Sequence, residues 1–192
     1  MLNPAPDASV AFYSGGPDAL GRTLEDILGW DDERLESAHD YIQWMFPTRQ
    51  PSGVNPFAPL ISDDTVRTFA SDADMRERLR RALHRMLAFY GLISRGARIE
   101  IDAARFPARA RVWLQPGNHN HLRLTRIIDC LATLGLREEA LALQRCLLED
   151  VAAGPGAGRV ATRTLAFWKA AADVVRTRRR SSPGGAWDSL PW

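Results

Sequence analysis

The chain has 192 residues, 45% of them hydrophobic and 25% charged, with a formal net charge of +2. That is the size and composition of one globular domain, and it excludes global disorder and collagen-like structure. It also excludes a helical membrane span: the longest apolar run, MLAFYGLI (Met86 to Ile93), has 8 residues, where about 20 are needed.

The small net charge hides a division. Residues 1–75 carry −9 and residues 76–126 carry +9, while 127–175 come to −1 and 176–192 to +3. The basic residues are 24 Arg and the single Lys169; with abundant Ala, Gly and Pro, this usage points to a GC-rich bacterial genome. Charge segregated in this way predicts either that one third packs on the other or that a basic surface meets an anionic partner.

Residues 1–22 are rich in Pro, Gly and Asp and read as an N-terminal arm. The opening MLNPAPDASVAF has neither a basic n-region nor an apolar h-region, so no secretory leader is expected, and a cytoplasmic setting is. Thr23 with Asp26 forms a capping box that opens a short helix to about Gly29. Asp31 then caps DERLESAHDYIQWMF, whose Leu35, His39, Ile42 and Phe46 share one helical face, and Pro47 ends it. Prolines 47, 51, 56 and 59 keep residues 47–61 extended, and Val54, Phe57, Leu60 and Ile61 predict that this stretch is packed down.

Ser62 opens a helix of about two turns over DDTVRTFA. Ser71 with Asp74 starts the longest helix, to Tyr90, and Gly91 stops it. Its apolar stripe runs through Met75, Leu79, Leu83 and Met86, and its other face carries Arg76, Arg78, Arg80, Arg81 and Arg85. Alternation in ARIEID and the strand character of ARVWL (110–114) suggest a small β-hairpin near 97–114. Asn118 or Asn120 caps a helix to Leu134, and Gly135 turns the chain into a second helix over 137–151. GPGAG (154–158) connects to a last helix opened by Thr162, with Leu165, Trp168, Ala172 and Val175 on one face. The expected fold is all-α: one helical domain over 23–175 with about six or seven helices, followed by a disordered basic tail over 176–192.

Chemistry-bearing motifs are few. There is no phosphate loop, nucleophile elbow, H-E-x-x-H or C-x-x-C. Cys130 and Cys146 lie on apolar helical faces and read as buried thiols. His119 and His121 are spaced i, i+2, which does not put them on one helical face, so no metal and no cofactor is implied. HLRLTRIIDCLATLGLREEALALQRCLLE has a helix-turn-helix outline, but both helices are apolar enough to be core.

Several longer stretches carry a family resemblance. HDYIQWMFP (His39 to Pro47), NPFAPLI (Asn55 to Ile61), RMLAFYGL (Arg85 to Leu92) and NHNHLRLTRII (Asn118 to Ile128), with LGL (134–136) and LAFWKAA (165–171), occur in an order and spacing that resemble the conserved domain of the opioid growth factor receptor family. The resemblance covers about residues 12–175. It implies a helical domain and, from the animal members, a receptor for an opioid pentapeptide found at the nuclear envelope and nucleus. It brings no catalytic residues.

The first expectation is therefore a non-enzymatic binding module for a peptide or small molecule. Its site would lie where the two signature segments meet, with polar groups from His39, Gln43, Asn118, His119, Asn120, His121, Arg123 and Arg126 and contact area from Tyr41 and Trp44. The segments must then lie within about 15 Å of each other, the reach of side chains. A ligand carboxylate would meet Arg123 or Arg126. Two other readings compete: a histidine- or metal-dependent hydrolase, and a nucleic-acid or anion binder using Arg76, Arg80 and Arg81 with salt-dependent affinity.

Overall fold

The computed structural model describes residues 7–52 and 55–172. The basic tail, Val54 and Val175 lie outside the described residues. The architecture is all-α with one two-stranded sheet, as the sequence predicts. It divides the chain more finely, into ten α-helices among the described residues.

Asp7 caps α1 (Ala8–Tyr13) by accepting from the Ser9 amide at 2.8 Å. This helix lies within the stretch read as an arm, yet Phe12 and Tyr13 are fully buried, and the Tyr13 hydroxyl donates to the Met45 carbonyl. The capping box of Thr23 and Asp26 opens α2 (Leu24–Leu28) as expected. The single helix expected over 32–46 is instead two, α3 (Asp32–Ser37) and α4 (Ile42–Met45), because Ala38 is extended, with φ −82° and ψ 136°. Across the proline-rich segment, the Ile61 amide donates to the Thr48 carbonyl at 3.0 Å. Ile61 is buried, but Phe57 and Leu60 are 75% and 46% exposed, and Asn55 ties the segment to the Asp40 carbonyl at 3.2 Å.

A box of Ser62 and Thr65 opens α5 (Asp63–Ser71). The long helix α6 (Ala73–Tyr90) is capped by Asp72, one residue later than expected, while the Ser71 hydroxyl donates back to Arg67 and Thr68. Gly91 ends α6 at φ 74°; a Cβ there would sit 2.6 Å from Phe106 Cα, so both conformation and space demand glycine. The hairpin pairs β1 (Leu92–Arg95) with β2 (Arg98–Ile101) in antiparallel register, Leu92 opposite Ile101. It is the small hairpin expected, with β2 inside the expected range and β1 just upstream of it. Residues 110–114 are not its second strand, since α7 (Phe106–Trp113) begins with Pro107 in its first turn.

The C-terminal part holds α8 (Asn120–Thr133), the turn at Gly135, and α9 (Arg137–Arg145), which continues as a π-helix over Cys146–Ala152. Next comes α10 (Thr162–Ala171), with Trp168 and Ala172 buried and Leu165 packed against the core. Helix α6 packs against α2, α5, α7 and β1, while α8 packs against α9 and α10. One continuous core joins the two sets through Leu83, Met86, Tyr90, Leu124, Ile128 and Trp113, and buries both cysteines.

Candidate functional site

The N-terminal end of α8 meets the break between α3 and α4. Arg123 and Arg126 are one turn apart on α8 and face the same way. Each closes the end of a short helix. Arg123 Nη1 donates to the Leu35 carbonyl at 3.0 Å, and its Nη2 donates to the Ala38 carbonyl at 2.6 Å. Arg126 Nη1 donates to the Phe46 carbonyl and to Thr48 Oγ1, both at 3.2 Å. A cation on the last carbonyls of a helix satisfies groups the helix cannot. This is why α3 stops where it does: the Leu35 and Ala38 oxygens serve a guanidinium from another helix.

Arg123 also lies 3.2 Å from His39 Nδ1 and 3.3 Å from Asn120 Oδ1. The first contact needs a lone pair on Nδ1, which puts the proton of neutral His39 on Nε2. Asn120 is fully buried; its Nδ2 donates to Glu36 at 2.9 Å and its Oδ1 accepts from the Tyr90 hydroxyl. His119 packs edge-on against His39, with ring centroids 5.1 Å apart, and its Nε2 lies 3.5 Å from Glu36. Burial, and then the charge of Arg123, hold the His119 imidazole below its ordinary pKa. Gln43, with its amide nitrogen turned to the carbonyls, donates to His39 at 3.2 Å and Asp40 at 3.1 Å.

These groups border an open groove of about 230 Å³, lined by His39, Ile42, Gln43, Ser52, His119, Leu122, Arg123 and Arg126. The two signature segments thus converge, and five of the ten sequence-predicted residues line one surface. The other five lie elsewhere. Tyr41 is fully buried beneath the groove, its ring under Arg123 at 5.5 Å and its hydroxyl donating to Leu35. Trp44 packs on Phe12. Asn118 accepts from the Asn120 amide at 2.9 Å and donates to the Val112 carbonyl, which fixes the entry to α8. Asn120 lies under the Arg123 side chain. His121 is buried between Trp113 and Trp168 with Nε2 unpartnered among the described residues, and burial lowers its pKa.

Sequence reasoning missed Glu36, Leu122 and Asp129. Leu122 carried a signal: it is an apolar residue off the inward stripe of α8, and it is 40% exposed. Asp129 is one turn beyond Arg126; burial pushes its carboxyl up to about 6, against the pull of Arg126 and a hydrogen bond to Thr133. Nothing in its spacing marks it.

The arginine face of α6 turns out to be occupied. Arg81 is bidentate with Glu25 at 2.7 and 2.6 Å, and Arg85 meets Asp32 at 2.8 Å and the Trp30 carbonyl at 2.7 Å. Arg80 binds Glu139 at 2.7 Å, Arg78 binds the Tyr13 carbonyl at 2.6 Å, and Arg76 binds the Phe69 and Ala70 carbonyls. Of the three arginines proposed to bind an anion, Arg81 is paired with Glu25 of the acidic N-terminal third, Arg80 with Glu139 and Glu77, and Arg76 is held by backbone carbonyls alone.

No group of three His, Cys, Asp or Glu side chains among the described residues could hold a metal ion. Both thiols are buried and their pKa is raised by desolvation, Cys146 to about 12. No helix of the described residues is long and apolar enough to cross a membrane. A larger cleft of about 420 Å³ lies between β2 and the π-helix, lined in part by Arg98, Glu100, Arg145 and Glu149; it includes none of the predicted residues.

Fold and groove define a small helical scaffold that presents a cationic, partly apolar surface. Its lineage is specific. Residues 14–183 match the family described as the opioid growth factor receptor (OGFr) conserved region, and the chain belongs to that family. It is 43% identical over 135 residues to the opioid growth factor receptor of Rattus norvegicus, covering 68% of this chain and 23% of that protein. The receptor of Homo sapiens is 42% identical over 68% of this chain and 20% of its own length. Opioid growth factor receptor-like protein 1 of Mus musculus is 32% identical over 139 residues, 68% of this chain and 28% of that protein. The matched region thus spans about a fifth to a quarter of these relatives. No solved structure matches the chain.

Proposed function

We propose that this chain is a non-enzymatic, receptor-like binding module whose groove at the α3–α4 break takes a short peptide or small molecule. One observation carries the reading: segments some eighty residues apart, joined by Arg123 to Leu35 and Ala38 and by Arg126 to Phe46, enclose an open groove rather than a filled interface. The names of the relatives, receptors for an opioid growth factor, agree with binding rather than catalysis. The hydrolase reading has nothing comparable, because the described histidines near the groove assemble no metal set.

The test is amide chemical-shift mapping of the labelled full chain against a mixed library of short peptides. Perturbations should cluster at residues 38–43 and 119–126. Shifts confined to other surfaces, or saturating shifts at the β2–π-helix cleft, would overturn the assignment of the site.

A further inference from the structure

We infer that the groove is a carboxylate site, which accepts the terminal carboxylate of a chain, or a free short carboxylic acid, next to one branched apolar group, with Arg126 as its anchor. This rests on the reading of the groove as a binding site and names the ligand chemistry.

The argument begins with what the groove's cations touch. Arg123 and Arg126 together make six polar contacts: to the Leu35, Ala38 and Phe46 carbonyls, to Thr48 Oγ1, to Asn120 Oδ1 and to His39 Nδ1. All six acceptors are uncharged. No carboxylate among the described residues lies within ion-pair distance of either guanidinium, whereas Arg22, Arg49, Arg80, Arg81, Arg85 and Arg109 each have one. The acid facing this side, Glu36, is turned to Asn120 and His119. Asp129 acts on Arg126 through space. A charge removed from water without a counter-ion is costly, and an arriving anion recovers part of that cost.

Arg126 is the better anchor. All four contacts of Arg123 are made by its two terminal nitrogens, and the side chain is 5% exposed. Both contacts of Arg126 run through Nη1 alone. A planar guanidinium with donors to spare suits a carboxylate. Ile42 and the half-exposed Leu122 supply the apolar wall. The open groove, about 230 Å³, has room for one side chain and its carboxylate.

The experiment titrates the labelled full chain with N-acetyl-leucine, its amide, and 4-methylpentanoate. Saturable shifts at residues 39–43 and 119–126 are expected with the two carboxylates. The neutral amide should bind roughly tenfold or more weakly, the worth of a charge-assisted hydrogen bond. Tighter binding of N-acetyl-leucine than of 4-methylpentanoate assigns the site to a chain terminus, and the reverse order to a free acid. Arg126→Gln should remove the preference for carboxylate over amide. Because Arg126 also closes α4, Leu122→Asp provides a second variant at an exposed position; its added carboxylate should weaken both acids by a similar factor. Equal affinity for acid and amide in the groove overturns the carboxylate assignment and leaves the binding-module reading standing. Absence of groove shifts with every probe, and with the peptide library, overturns both.

Discussion

Two groups of arginines behave in opposite ways. On α6, Arg80, Arg81 and Arg85 meet carboxylates from α9, α2 and α3, and their charge is neutralised within the domain. On α8, Arg123 and Arg126 meet uncharged acceptors, and their charge stays in place beside an open groove. By density of positive charge the first face looks like the binding surface. By what each guanidinium already touches, Arg80, Arg81 and Arg85 are spent on carboxylates, Arg76 and Arg78 are tied to backbone carbonyls away from the groove, and Arg123 and Arg126 keep their charge beside it. Formal charge counts cannot separate the two; partners can.

The contrast can be broken most severely at Arg123. Replacing it with methionine keeps much of the volume but leaves the Ala38 carbonyl without a donor, the Leu35 carbonyl with only the Tyr41 hydroxyl, and the α3 end open. Chemical denaturation should show a loss of about 3–5 kcal/mol, the sum of two charge-assisted hydrogen bonds. A loss below 1 kcal/mol would mean that α3 ends there for another reason.

Asp129 sharpens the contrast from the other side. Its carboxyl is raised to about 6 in the fold, from 3.8. Between those values the folded chain holds a proton that the unfolded chain has lost, so stability falls as pH rises from about 4 to 6 and the penalty persists above. Asp129→Asn should therefore stabilise the protein by up to about 3 kcal/mol at pH 8, and the gain should shrink to nothing near pH 4. The same variant removes the negative charge nearest Arg126, so N-acetyl-leucine should bind more tightly. Denaturation across the pH range and repeat titration measure both, and a pH-independent gain would discredit the sign.

The smallest effect belongs to the neutralised face. Arg81→Gln breaks a pair on the exposed surface, and such pairs contribute little. Its denaturation midpoint and its carboxylate affinity should both match the parent. A measurable loss of affinity would show that the α6 face reaches the ligand after all.

Much of this was legible in the chain. Capping residues placed α2, α5 and α6 to within a residue or two, because a cap bonds to its own helix and its signal is local; α8 was bounded by its apolar stripe and Gly135, and its N-cap is His119, with no side-chain cap bond, rather than Asn118 or Asn120. The signature segments pointed to His39, Gln43, His119, Arg123 and Arg126, which do share one groove. What failed was non-local. The 32–46 stretch has an unbroken helical stripe, and only a guanidinium from 85 residues downstream turns the Ala38 carbonyl outward. The strand pattern of 110–114 yielded to Pro107 at a helix start and to Trp113, whose indole donates to the Tyr90 carbonyl at 3.0 Å. Tyr41 and Trp44 looked like contact area because aromatic residues serve both surface and core, and burial alone distinguishes these roles.

By itself, the sequence determined an all-α domain, its main helices, its division into acidic and basic thirds, and its family. Periodicity, capping and composition are properties of neighbours along the chain. Only the tertiary structure decided which arginines were neutralised, because an ion pair depends on which helix a side chain faces after packing. Folding neutralised Arg81 and Arg85 against the acidic third and Arg80 against Glu139, and left the charge on α8 at the end of two short helices, beside a groove.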